Sequence, residues 1–154
     1  MLTDGEMRAI REEMAHYPTA RAACVEALKI VQRNRGWVSD ESLEDVADFM
    51  DLPAAELEDV ATFYNLIFRE PVGKHVIHIC DGVSCWLTGY ENLRDYLCEQ
   101  LGLCPGETSE DGLFTLLPIP CLGICEHAPV LMVDDELYVN LDAAKIDEIL
   151  DKYR

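Results

Sequence analysis

Positive charge is scarce in this chain of 154 residues: 12 Lys and Arg stand against 30 Asp and Glu, a formal net charge of −18. Nucleic acid and anionic membranes both need Lys/Arg clusters, so neither is expected as a partner. The acidic surface suits either steering toward a basic protein or plain solubility. No apolar run approaches the roughly 18 residues of a membrane span, and direct membrane insertion is not expected. Met1-Leu-Thr-Asp-Gly-Glu6 carries neither the basic and apolar regions of a signal peptide nor the character of a transit peptide. G-x-G-x-x-G, G-x-x-x-x-G-K-[ST] and a nucleophile elbow are also missing. Any nicotinamide or flavin site that serves this chain therefore belongs to another one. Internal repeats and low-complexity tracts are absent.

Cysteine, by contrast, is plentiful. Seven are present, an odd number that prevents complete intrachain pairing. Without an export signal they point to a reducing compartment, bacterial-type and cytoplasmic, where metal binding is favoured over disulfides. Four of them form two close pairs, Cys80-Asp-Gly-Val-Ser-Cys85 and Cys121-Leu-Gly-Ile-Cys125, with 35 residues between. Each pair is expected in a Gly-containing loop after a strand-like run, 75–79 for the first and 113–117 for the second. Such loops can close a four-sulfur site. A [2Fe–2S] cluster needs four thiolates, two on each iron, and Gly82 and Gly123 leave backbone N–H groups free to face the sulfurs. Structural zinc also takes four cysteines, but more often through C-x2-C knuckles, so spacing favours iron–sulfur without excluding zinc. A thiol–disulfide oxidoreductase is weaker, since no C-x-x-C occurs. The C-x-H of Cys125-Glu-His127 is unrepeated, which makes His127 a neighbour of the site and not a ligand. Cys98 and Cys104 are expected as free thiols and Cys24 as a core residue. His75 and His78 fall on opposite faces of one strand, so they do not share a metal.

The first part of the chain has helical periodicity, at 6–15, from Pro18 to about Arg35, at 40–50 behind a Ser39 cap, and from Pro53 to about Tyr64. Turn formers in Arg69-Glu-Pro-Val-Gly-Lys74 mark a boundary, giving a helical unit over 1–68 and a second domain over 69–154. There the order is a strand at 75–79, a helix at 88–101, a strand at 113–117, a hairpin of 130–133 with 136–139, and a helix at 142–152. This is an α/β pattern: a small mixed sheet with helices packed on it.

Val60-Ala-Thr-Phe-Tyr64, Cys80-Asp-Gly-Val-Ser-Cys85-Trp-Leu-Thr-Gly89 and Cys121-Leu-Gly-Ile-Cys125-Glu-His-Ala-Pro129 together resemble the small thioredoxin-like [2Fe–2S] subunit of NADH:quinone oxidoreductase, respiratory complex I. The resemblance spans nearly the whole chain. It implies an N-terminal helical unit followed by a thioredoxin-like [2Fe–2S] ferredoxin domain. Cys80 and Cys85 would hold one iron, and Cys121 and Cys125 the other. It further implies a partner subunit that carries FMN and binds NADH, and a place on the cytoplasmic side, peripheral to the inner membrane through the complex. Related subunits of NAD-linked hydrogenases and formate dehydrogenases share the cysteine pattern, and a zinc-stapled adaptor is the reading from another class.

Overall fold

Thr3 starts the first helix by local chemistry. Its hydroxyl accepts from the Glu6 backbone N–H at 3.2 Å while the Glu6 carboxylate accepts from Thr3 N–H at 2.8 Å, a reciprocal cap on α1, Asp4–Met14. In the computed structural model, which describes residues 1–154, the chain divides into two compact units, Met1–Pro71 and Val72–Arg154. The first unit continues through a short 3-10 turn, Ala20–Ala23, into α2, Cys24–Arg35, then α3, Asp40–Met50, and α4, Ala54–Phe63. The helix expected from Pro18 thus begins later. Thr19 is extended, and only the 3-10 turn precedes Cys24. Ser39 caps α3 as expected, accepting from Ser42 N–H.

Apolar stripes on the four helices meet in one core of Ile10, Leu28, Val31, Val46, Met50 and Leu57, with Cys24 buried among them. Tyr64, expected to continue the buried face of α4, lies just past its end and is exposed. Glu6 is buried too, and Arg35 meets it with two bonds, Nε to Oε1 at 2.9 Å and Nη2 to Oε2 at 2.8 Å, while Nη1 donates to Ser42 Oγ. One guanidinium therefore joins α1, α2 and α3. Arg69 belongs with these helices, donating to the Val38 carbonyl, to Asp40 and to Glu58.

The second unit is built on a four-stranded sheet ordered β2-β1-β3-β4. Its strands are β1, His75–Cys80; β2, Phe114–Ile119; β3, Leu131–Val133; and β4, Glu136–Tyr138. β1 and β2 are parallel, while β1–β3 and β3–β4 are antiparallel. The parallel connection is made by α5, Val83–Leu87, and α6, Tyr90–Leu101; α7, Ala143–Tyr153, closes the chain. Ile77, Leu116, Leu131, Leu97, Ile146 and Leu150 form the core of this unit. Each fully buried side chain of that size contributes about 1.5–3 kcal/mol. β2 runs two residues further than expected, through Pro118. It is an edge strand, where a missing N–H is tolerated. The single helix expected over 88–101 is two: Gly89 at φ +107° breaks it, and α5 stands before the break. No helix is long and apolar enough to cross a membrane.

Candidate metal centre

Parallel pairing brings the two cysteine segments together. β1 and β2 stay in register from His75 opposite Phe114 to Cys80 opposite Ile119, so both strands leave the sheet at the same end. Cys80 is the last residue of β1, and Cys121 lies two residues beyond Ile119. Asp81 N–H donates to the Ile119 carbonyl at 3.0 Å and Cys80 N–H to the Val130 carbonyl at 3.2 Å, fixing the exit of β1 against both neighbours. The two segments touch at Gly82: a Cβ there would lie 2.7 Å from the Pro120 carbonyl oxygen and 3.5 Å from Cys80 Sγ. Only glycine lets the backbones approach this closely.

Cys85 is not in a loop, as the sequence suggested, but on α5, where it is buried and hydrogen-bonded to the Cys80 thiol. Thr88 Oγ1 steadies this short helix by donating to the Ser84 carbonyl at 2.8 Å. On the other segment, Cys121 Sγ and Cys125 Sγ lie 3.8 Å apart, and Gly123, at φ +82°, turns its N–H onto Cys121 Sγ at 3.3 Å. Cys80 and Cys85 are buried, whereas Cys121 and Cys125 face solvent.

The electrostatics show what this arrangement lacks without a cation. Burial pushes the Cys85 thiol up to about 11; the hydrogen bond and charge of Cys80 and the charge of Cys125 add to the effect, and the Val130 backbone opposes it. Cys125 is also raised, first by its hydrogen bond to Cys121, and lowered by the Ser84 hydroxyl. Crowded thiols resist ionisation because thiolates repel one another, and a metal core reverses that sign. The donors are four soft sulfurs in two pairs, and no three His, Cys, Asp or Glu side chains converge on a single point. Two thiolates for each of two irons fit this set, with N–H and O–H groups turned toward the sulfurs.

All four predicted cysteines are thus brought together, while the remaining candidates are elsewhere. Cys24 is in the helical core, Cys98 is half-buried on α6, Cys104 is exposed, and all seven cysteines are free thiols. His127 lies in a 3-10 turn, Cys125–His127, and its carbonyl accepts from Asn140. His75 pairs with Asp134 at 2.8 Å, and burial lowers the pKa of His78, favouring its neutral form. Ser84 and Val130 are the sulfur contacts the sequence did not reveal. Ser84 was visible only as a residue between two cysteines, and Val130 only as the start of a strand.

A mixed sheet with two paired-cysteine segments at one end is the architecture of thioredoxin-like [2Fe–2S] ferredoxins, and the profile of that family matches residues 10–154. The chain belongs to this family, whose cofactor is a [2Fe–2S] cluster. Among its relatives, an NADH-quinone oxidoreductase subunit of Escherichia coli (strain K12) is 47% identical over 99% of this chain and 92% of its own length. The corresponding subunit of Pseudomonas aeruginosa is 44% identical over the same shares. A solved NAD+-reducing [NiFe]-hydrogenase contains a similar fold, with a TM-score of 0.69 and 26% identity over 82% of this chain and 22% of that longer one.

Proposed function

We propose that this chain is the electron-transfer subunit of an NADH:quinone oxidoreductase, and that Cys80 with Cys85 and Cys121 with Cys125 hold the two irons of its [2Fe–2S] cluster. The observation that carries this is the meeting of four sulfurs where the parallel strands β1 and β2 end. When bound, the cluster supplies a one-electron couple, here with the FMN of a partner subunit that binds NADH. The name of the Escherichia coli relative, at 47% identity over nearly the full length, supports the complex. The lack of dinucleotide and phosphate-loop motifs in this sequence supports a flavin on another chain. The protein sits on the cytoplasmic side and reaches the membrane only through its complex.

This chain's own residues hold the thiolates and moderate their charge. The Gly123 N–H, the Val130 backbone and the Ser84 hydroxyl each offset negative charge on a sulfur. Burial of Cys80 and Cys85 keeps water from one side of the site. A second reading, the equivalent subunit of an NAD-linked hydrogenase, is favoured by the fold shared with the NAD+-reducing enzyme, and the proteins that co-purify with the chain separate the two. The test of electron exchange mixes dithionite-reduced, desalted holoprotein with the oxidised FMN-loaded partner subunit. The expected result is loss of the reduced cluster's EPR signal together with bleaching of the flavin. A flavin that stays oxidised beside a reduced cluster would overturn the proposal.

A further inference from the structure

Helix α5 has two unlike faces. Cys85 points inward and is 2% exposed, while Val83, Trp86 and Leu87, related by three and four positions, are 73%, 55% and 72% exposed. Large apolar side chains seldom face water in contiguous groups unless something covers them. Nearby exposed charge is acidic: Asp81 precedes the helix, Glu91 follows it, and Glu126 stands beside Cys125 on the turn that packs against α5. Arg94 offers no counterweight, since its guanidinium is paired with Asp95 at 2.7 Å.

We infer that the Val83-Trp86-Leu87 face is the docking surface for the flavin-bearing subunit, which meets it with an apolar pocket for Trp86 rimmed by Lys and Arg. The inference rests on the proposed function and adds where the partner binds. A helix is about 10 Å across, so a group covering the outer face of α5 lies roughly that far from the inward sulfur of Cys85. Contact here and a short path for an electron are the same requirement. A second copy of this chain is a poor occupant, because two molecules of charge −18 would bring like-charged rims together. Trp is also the residue type most enriched among the side chains that dominate binding energy.

The experiment titrates holoprotein into the FMN-loaded partner subunit by calorimetry, with iron and sulfide content checked first. Trp86→Gln is expected to weaken binding at least about tenfold, and Leu87→Gln and Val83→Thr, at positions exposed enough to leave the fold intact, to weaken it in the same direction. Tyr17→Gln, on the helical unit, should bind as the wild type does. Undiminished binding by the α5 variants, an equal loss for Tyr17→Gln, or self-association of the chain through α5 would overturn the docking surface while leaving the flavin partnership in place. A wild-type protein that does not bind the flavin subunit would remove the proposed function and this inference with it.

Discussion

Two single positions carry the greatest strain or charge. At Gly82 a methyl group would sit 2.7 Å from the Pro120 carbonyl, a distance that forces the two cysteine segments apart. Gly82→Ala is expected to cost about 1–3 kcal/mol and to lower cluster content, read as iron and sulfide per chain. The other position is Glu6, whose carboxyl the Arg35 guanidinium holds at about 2, far below its ordinary 4.5, against the opposing effect of burial. Because the folded-state value is depressed, this ion pair's stabilisation is complete above about pH 4.5 and fades as the pH falls toward 2. Arg35→Met leaves the carboxylate buried and unpaired. It should lower stability to urea at neutral pH by roughly 3 kcal/mol, with the gap from wild type closing as the solution is acidified.

At the next scale, the β3–β4 hairpin turns on Asp134. Its backbone is left-handed, φ +53°, its N–H donates to Val76 O, and its carboxylate accepts from Val76 N–H and pairs with His75. Asp134→Ala loses both side-chain bonds while keeping a backbone that alanine disfavours. A loss of about 2 kcal/mol is expected, and Asp134→Asn should recover part of it in thermal unfolding. The sequence displayed only a weak Asp-Asp turn signal here, because the stabilising partner is on β1, nearly sixty positions earlier. The same limit explains α5. Five residues are too few to show a helical period, so Cys85 read as part of a loop and the exposed Trp86 face could not be seen. Longer elements were legible: the Ser39 cap, the buried stripes of α2 and α3, and the inward Ile146, Ile149 and Leu150 of α7 all follow from spacing. The cysteine pairs were legible as pairs. Their convergence was not, because it depends on β1 and β2 being parallel and in register.

For the molecule as a whole, the charge of −18 acts at a distance. Association with a basic flavin subunit should be fast at low salt and slow at least about tenfold as ionic strength rises from about 0.05 to 0.5 M, measured by stopped flow. A rate indifferent to salt would mean that the acidic surface serves solubility alone. The four-sulfur centre is tested most directly by iron, acid-labile sulfide and low-temperature EPR on anaerobically purified protein, in the wild type and in cysteine variants. Two irons and two sulfides per chain are predicted, silent when oxidised and giving a half-integer-spin signal after dithionite. This cluster should be lost on changing Cys80, Cys85, Cys121 or Cys125 to alanine and kept on changing Cys98 or Cys104. Stoichiometric zinc without sulfide, or a full cluster in any of the first four variants, would contradict the assignment.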